Sequence, residues 1–471
     1  MLSLSVDQGQ FLTGIISQYG MKGMWFVWSG WIGIFVIPIV FAPLWQKLNF
    51  ITDNQFMLFR YPGKSGKIVH LFRALYVGIF VVSLSLCFHV LGFSRVIQIY
   101  FEIDETTSII VTGLILTLYS LKNIIAIKLK TDTFHAFLYF CGVLVILISI
   151  WYASDGWNGF YSFFEKNPDK KAIIPAQSDT NSWFSLIVFL GVQWWSCYLF
   201  DGGGPEMSRY TAVNTKKNAI MTGLLPIIIS FILSFFILGH IIFILGLNPN
   251  NNSEEIFYVK NIFKVVPQGF KPLVFLGFFG MFISLAESLL NWGAAFLTMD
   301  AYKQYLNPKA SPNNIQILSI GIMITLSLLS LVFALQINSL ESLVKITFSI
   351  AAGVAPVYIL RWVWYRINAW SQLSAMLSSA LFTLIYPNIH ELMPLSKYPM
   401  EESRVIVVTI LTTIIWLLFT FLIKNQSIEV QKKMQPIIES SAIFFKRFII
   451  SIGLGICFLV LITMIWWKIL E

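Results

Sequence analysis

Long apolar stretches recur along the whole chain of 471 residues. A helix of about 20 apolar residues is long enough to cross a hydrocarbon core about 30 Å thick. A backbone in lipid must satisfy its own hydrogen bonds, so these stretches predict an all-α polytopic membrane protein. We expect twelve full transmembrane helices and an N-terminal half-helix near 8–19, the full ones at 23–46, 70–95, 107–127, 132–154, 182–201, 218–246, 271–300, 314–335, 341–365, 368–386, 404–424 and 446–468.

The composition and the charge pattern agree with a lipid solvent. Hydrophobic residues make up 57% of the chain and charged residues 12%. Roughly two thirds of the Lys and Arg residues lie in or next to alternate connections, beginning with 47–69, and positive charge is retained on the cytoplasmic side of a membrane. The net charge of +9 is explained by this bias. We therefore expect the lipid bilayer as partner, no nucleic acid and no obligate protein partner.

One predicted helix carries polar groups in an otherwise apolar span. The segment 281–303 contains Ser284, Glu287 and Asn291. A carboxylate inside a membrane span costs roughly 2.5 to 3.5 kcal/mol on insertion scales, and such groups usually face a bundle interior, a cation or a water-filled path. This helix points to transport.

A second segment interrupts a predicted span with helix-breaking residues. Three glycines and Pro205 follow Asp201, and they cannot continue a regular helix cheaply. Interrupted helices form substrate sites in transporters. The alternative is that the glycines end an ordinary helix outside the membrane, which would leave Asp201 and Glu206 solvated.

Enzymatic chemistry has no support in the sequence. No Ser/His/Asp set, metal-ligand cluster or phosphate-binding glycine loop occurs in a suitable context. We expect neither an enzyme nor an organic cofactor. Lys345 lies a few residues into its span near the outer interface, where snorkelling explains a lysine without function.

Four segments carry a family resemblance: LLNWGAAFLTMDAYK at 289–303, Thr131–Asp132, RYTAVNTKKNA at 209–219 and RWVWYRINAWSQLSAM at 361–376. They resemble the sodium:solute symporter family, and the last resembles a bacterial subgroup of mostly unassigned substrate. The resemblance implies the leucine-transporter fold, with two inverted five-helix repeats. We expect one membrane transporter domain over 1–471, with repeats at 1–154 and 182–365 and trailing helices at 366–471.

The same resemblance implies a sodium site on the family's eighth helix, where one carbonyl and two adjacent hydroxyls are ligands. These positions fall on Met281 for the carbonyl and on Ser284 and Leu285 for the hydroxyls. Leu285 offers no oxygen, and a hard cation wants several oxygen ligands. Glu287 lies one helical turn beyond Ser284 and could lend a carboxylate, or it is a carboxyl satisfied by neighbouring helices.

The remaining ion ligands implied by the family are backbone carbonyls on the first helix, and here they fall at or before Leu4. The half-helix that would precede them is missing, so we expect a start codon assigned too late or a truncated gene product. Ser5 and Gln8 match positions of polar side chains near sodium and substrate. Asp132 matches an acidic position on the ion's way out, although an Asp at a helix start also serves as an N-cap.

Substrate contacts are expected beside the interrupted helix, at Gln193, Trp194 and Trp195. Sugar-binding members use an acid and an amide on helices two and six and a lysine on helix seven. Here the corresponding stretches offer Trp28 and Ser29, Gln193, and a seventh helix without Lys. This pattern argues against a sugar and identifies no other substrate.

The sequence therefore predicts a secondary active transporter of the cell (inner) membrane that imports a small organic solute with sodium by alternating access. Two alternatives within transport are proton coupling through Glu287 and uncoupled movement. Two alternatives outside transport are a truncated, inactive remnant of a symporter and a membrane sensor.

Overall fold

The computed structural model describes residues 6–120, 125–196, 200–247, 255–337, 339–423, 427–438 and 440–471. Leu4 and Ser5 lie outside these ranges. The first helices are α1 (Val6–Tyr19), α2 (Trp25–Trp28), α3 (Trp31–Ile34), α4 (Ala42–Leu48), α5 (Gln55–Arg60), α6 (Gly63–Leu75) and α7 (Val82–Phe101). The next are α8 (Glu105–Ser120), α9 (Ile125–Ala153), α10 (Trp157–Lys166), α11 (Thr180–Gly191), α12 (Met207–Thr211), α13 (Lys216–Leu247) and α14 (Ile256–Val265). The last are α15 (Lys271–Ala295), α16 (Pro312–Ala334), α17 (Leu340–Leu360), α18 (Ala369–Ile389), α19 (Met400–Leu422), α20 (Ser427–Met434) and α21 (Ser441–Leu470).

Shorter helical segments join these elements. Three of them are π-helical and continue neighbouring α-helices: Ile37–Phe41, Tyr76–Val81 and Phe296–Leu306. The others are 3-10 turns: Met21–Met24, Pro168–Lys170, Gln193–Trp195, Gly204–Glu206, Gln268–Phe270 and His390–Leu392. Within the described ranges no strand occurs.

Nine helices in the described part of the chain are long and apolar enough to cross a membrane. Each coincides with one of the twelve predicted spans. The other three predicted spans are also helical, but α8 is a shorter apolar helix, α11 has 12 residues and α18 is not among the nine. The half-helix predicted near 8–19 corresponds to α1. The prediction of an all-α polytopic membrane protein is confirmed.

The chain forms two compact units. The first contains Met1–Gly23, Ala74–Ala172 and Ile228–Leu343. In it α15 packs along α9, α7 and α16, and α1 packs on α7 and α14. A Cβ on Gly277 would lie 3.1 Å from the Cα of Tyr139, so α9 and α15 approach closely at this glycine. Small residues allow such close approach of membrane helices.

The second unit contains Met24–Arg73, Ile173–Ile227 and Val344–Glu471. In it α18 packs along α19, α21 packs on α3, and α12 packs on α4. Large aromatic side chains fill its core, among them Trp45, Phe56 and Trp362, each fully buried. The rings of Phe56 and Trp362 stack with centroids 4.5 Å apart.

Two expectations about helix ends are wrong. The span predicted to end at Asp201 ends at Gly191, and a 3-10 turn follows it. Asp132 is not an N-cap, because α9 begins at Ile125 and Asp132 lies inside the helix. The predicted repeat boundaries at 154, 182 and 365 stay predictions.

Candidate functional site

In the first unit, α9 brings a histidine against the predicted ion-site serine of α15. A Cβ on Gly280 would lie only 3.0 Å from the Cβ of His135, so α9 and α15 approach closely at this glycine. His135 Nδ1 lies 3.0 Å from Ser284 Oγ. The two groups are within hydrogen-bond distance, and the ring nitrogen can accept from the hydroxyl or donate to it.

The other residues of α15 that were predicted at the ion site lie within one helical turn of Ser284. Met281 is buried one turn before it, and Leu285 and Glu287 are partly buried on the following turn. Leu285 has an apolar side chain, and Glu287 has contacts of its own. The helix therefore offers Ser284 Oγ and Glu287 as side-chain oxygens for a cation.

Two further residues of the predicted ion site, Leu4 and Asp132, lie wholly or partly outside the described part of the structure. Leu4 precedes the described residues. Asp132 lies on α9 one turn before His135, and its side chain is outside the described part. Among the described residues, the part of the predicted ion site with a defined contact is therefore Ser284, which lies within hydrogen-bond distance of His135.

The start of α1 carries a buried carboxylate. Asp7 is fully buried and its Oδ1 lies 3.3 Å from His89 Nδ1, while its Oδ2 accepts no hydrogen bond from the described residues. The neighbouring Gln8 is also buried, and its Oε1 likewise lacks a hydrogen-bond partner there. Buried polar groups of this kind in a membrane span mark ion or substrate pathways.

A hydrogen-bonded chain continues from α1 to the start of α17. Gln10 Nε2 donates to the Gly92 carbonyl at 2.7 Å, and Arg95 Nη1 lies 3.3 Å from Gln10 Oε1. Arg95 also pairs with Glu255 at 2.6 Å. Glu255 in turn accepts from the backbone N–H groups of Leu340 and Glu341 at 3.0 and 2.9 Å.

In the second unit, Gln193 stands in the turn that follows α11. Its side chain is 4% exposed, and Nε2 donates to the Phe26 carbonyl at 2.9 Å. Trp194 contacts Trp195 edge-on at 5.4 Å, and Trp195 Nε1 donates to the Ala352 carbonyl at 3.3 Å. The two tryptophans thus have packing partners, and their predicted role in substrate binding stays a prediction.

A small cavity, with room for about one water molecule, opens beside Gln193 within the same unit. Its walls are both apolar and charged, and they come from α2, α11, α17 and α19 with the turn after α11. The lining residues are Phe26, Phe189, Gln193, Lys345, Phe348, Glu401, Glu402 and Val405. Lys345, for which snorkelling was the expectation, lines this cavity.

The glycine-rich segment after α11 surrounds a buried carboxylate. Asp201 is fully buried, pairs with Arg361 at 2.5 Å and accepts from Trp362 Nε1 at 3.1 Å. Gly202 and Gly204 have φ of +72° and +71°, which favours glycine. Asp201 is therefore not solvated, whereas Glu206 pairs with Arg209 at the surface.

A second cation in this region binds backbone carbonyls. Arg60 is fully buried and donates to the carbonyls of Arg361 and Trp364, just beyond the C-terminus of α17. A cation is favoured at a helix C-terminus. Burial lowers the pKa of Arg60 to about 10, so the guanidinium stays charged at neutral pH.

Several polar residues were missed by sequence reasoning. His135, Asp7 and Glu402 find their neighbours only in the fold, since His135 and Ser284 are 149 positions apart. A signal was present at α1, where Asp7, Gln10, Gly14 and Ser17 recur at helical spacing. His89, a histidine inside an apolar span, has Asp7 as its partner.

The comparisons with known proteins agree with the resemblance of the motifs. The model of the sodium:solute symporter family matches residues 9–379. A sodium/glucose cotransporter of Vibrio parahaemolyticus is 20% identical over 456 residues, covering 89% of this chain and 80% of that protein.

The fold is shared with a solved transporter. A substrate-bound, outward-open structure of a Na⁺-coupled sialic acid symporter superimposes with a TM-score of 0.62 at 16% identity, covering 89% of each chain. This likeness confirms the predicted fold class. The chain belongs to the sodium:solute symporter family and is a sodium-coupled secondary transporter of a solute.

Proposed function

We propose that this protein imports a small organic solute across the cell (inner) membrane, and that Ser284 is a ligand of the coupling sodium ion. The observation that carries the proposal is the contact between Ser284 Oγ and His135 Nδ1 inside two apolar helices. A partly buried hydroxyl held by a neighbour from another helix is preorganised to bind a cation.

The donor set supports a sodium site of oxygen ligands. Ser284 supplies a hydroxyl and Met281 a carbonyl at the family's ligand positions. Glu287 lies one helical turn beyond Ser284, and Asp132 matches the family's acidic position on the ion's way out. Carboxylate and carbonyl oxygens are the ligands preferred by hard cations. The first-helix carbonyl at Leu4 would complete the cage in the family arrangement.

The solute is proposed to bind beside the turn after α11. Gln193 is the supporting residue, because its Nε2 donates to the Phe26 carbonyl and its side chain lines the small cavity beside this turn. Trp194 and Trp195 would flank this site. Ser5 and Gln8 match positions at which the family places polar side chains near sodium and substrate, and the buried Oε1 of Gln8 has no hydrogen-bond partner among the described residues.

Transport assays on the full chain in proteoliposomes test this proposal. An inward sodium gradient should drive accumulation of at least one member of a panel containing leucine, glucose, acetate and betaine. Replacing sodium by choline should abolish that accumulation. Accumulation driven equally by a proton gradient in choline would instead support proton coupling, and absence of any sodium-driven uptake would overturn the proposal.

A further inference from the structure

A surface cleft at the ends of three predicted spans combines cations with apolar residues. Lys47 lies in the last turn of α4, Lys216 is the first residue of α13, and Arg447 lies in the second turn of α21. All three residues belong to the second unit. They adjoin connections that are rich in Lys and Arg, which predicts a cytoplasmic location. The cleft therefore lies where the three helices are expected to meet the cytoplasmic surface of the membrane.

The charge of the cleft is positive. Lys47, Lys216 and Arg447 are the charged residues that line it in the described part of the chain, and no acidic residue of that part does so. Glu439 lies between two lining residues in the sequence and falls outside the described part. The cations outnumber the carboxylates even when Glu439 is counted. Such an excess of positive charge complements an anionic partner.

The cations have donors enough for a phosphate group. Lys47 Nζ donates to the Ile437 carbonyl at 3.0 Å, which joins the end of α4 to the connection before α21. An ammonium group carries three donors and a guanidinium group five, so each cation can serve a further acceptor beside the partners that it has. Phosphate oxygens accept strong, charge-assisted hydrogen bonds from both groups. The cleft can therefore hold a phosphodiester through contacts from three helices.

The apolar side of the cleft continues into the lipid-facing surface of α21. Phe444 is buried, and its ring meets that of Phe41 edge-on with centroids 5.8 Å apart. Val40 and Leu44 are also buried and line the cleft beside Phe444. Farther along α21, Ile449 is exposed, as are most of the apolar residues of this helix. A ligand that touches the cations thus meets an apolar surface on its other side.

The dimensions of the cleft decide what kind of ligand fits. It has room for about one water molecule, so no solute can be enclosed in it. A membrane lipid needs no enclosed cavity, because its headgroup lies across the mouth of a cleft and its acyl chains lie along the outer surface of a helix. A soluble anion would leave the apolar side of the cleft without a partner. The combination of cations and apolar surface therefore favours a lipid.

We propose that this cleft binds an anionic phospholipid, with the phosphodiester on Lys47, Lys216 and Arg447 and an acyl chain along α21. Basic pockets between membrane helices on the cytoplasmic side bind anionic headgroups, and each Lys or Arg near the surface adds to the attraction. Phosphatidylcholine carries an ammonium group that the same cations repel, so it binds more weakly. The site is separate from the proposed ion and solute sites and does not depend on them.

Native mass spectrometry of the full chain in detergent tests this inference, with phosphatidylglycerol and phosphatidylcholine titrated separately. Wild type should bind the first phosphatidylglycerol at least about fivefold more tightly than phosphatidylcholine. Lys47→Gln, Lys216→Gln and Arg447→Gln should each weaken phosphatidylglycerol binding about fivefold, the size expected for one basic residue at an anionic lipid. Lys446→Gln removes an exposed cation of the same helix that does not line the cleft, and it should bind like wild type.

The triple variant Lys47→Gln/Lys216→Gln/Arg447→Gln should bind the two lipids equally, and thermal melting without added lipid checks that it is folded. Equal binding of the two lipids by wild type would overturn the inference without recourse to any variant. Equal weakening by Lys446→Gln and Arg447→Gln would overturn it as well, because the attraction would then belong to the whole basic surface. Inorganic phosphate at the concentration of the lipid should leave phosphatidylglycerol bound, and its displacement would assign the cleft to a soluble anion instead.

Discussion

His135 Nδ1 lies 3.0 Å from Ser284 Oγ, so an imidazole of α9 meets the serine hydroxyl that α15 places at the predicted ion site. With the hydroxyl donating to this nitrogen, the oxygen lone pairs of Ser284 can turn toward a cation. Groups that orient a metal ligand in this way contribute to affinity without touching the metal. The contact therefore orients the Ser284 hydroxyl. This matters because the neighbouring Leu285 has no side-chain oxygen to offer a cation.

Replacing His135 by alanine should weaken sodium binding about tenfold or more, because the Ser284 hydroxyl loses its neighbour. The measurement is a sodium titration of tryptophan fluorescence at constant ionic strength, with choline chloride as the balancing salt. His390→Ala, in the second unit, is the matched control and should titrate like wild type. Equal sodium affinity of His135→Ala and wild type would contradict the positioning role.

Adding an oxygen at Leu285 should strengthen the sodium site. Leu285→Ser restores the second hydroxyl implied by the family, and a hard cation gains affinity with each added oxygen ligand. We expect the sodium titration midpoint to fall several-fold. Leu276→Ser changes an exposed residue of the same helix and should leave the midpoint unchanged. A midpoint for Leu285→Ser that is unchanged or higher would contradict the assigned register.

Asp201→Asn should destabilise the protein by about 3 to 5 kcal/mol, because the buried Arg361 loses its counter-charge. Thermal melting in detergent measures the effect. Glu206→Gln breaks a pair that is partly exposed and should cost no more than about 1 kcal/mol. The double variant Asp201→Asn/Arg361→Gln should recover part of the loss. Equal melting of Asp201→Asn and Glu206→Gln would show that burial of the pair is unimportant.

Glu255→Ala should also lower the melting temperature, since Arg95 and the first N–H groups of α17 lose one common acceptor. The expected cost is about 1 to 3 kcal/mol, the penalty for unsatisfied buried groups. Glu255→Gln keeps an acceptor without the charge and should melt between Glu255→Ala and wild type. If Glu255→Ala melted like wild type, this polar chain would have no role in stability.

Hydropathy was sufficient for the helical architecture because burial in lipid depends on local composition. The nine apolar helices in the described part of the chain each overlap a predicted span, and the largest difference is at Gly63–Phe101, predicted at 70–95. The end of α11 was misplaced because Gly191 and Val192 carry no strong stop signal, while the glycines at 202–204 do. Gly202 and Gly204 instead adopt positive φ angles next to Asp201.

The candidate site was only partly predictable. Ser284 and Gln193 came from family positions, and both lie beside polar groups of other helices. His135, Asp7 and Lys345 could not be assigned partners, because each contact joins segments far apart in the chain. A lone charged residue in an apolar span gives no local sign of which helix it faces.

Sodium binding by Ser284→Ala tests the central claim most directly. The same substitution at Ser288, whose hydroxyl donates to the Ser284 carbonyl at 2.9 Å, is the matched control on the same helix. In sodium titrations against choline, Ser284→Ala should bind sodium at least about tenfold more weakly than wild type, as expected for the loss of one of few oxygen ligands, and Ser288→Ala should bind it like wild type. Unchanged sodium affinity in Ser284→Ala would contradict the claim that Ser284 holds the coupling ion.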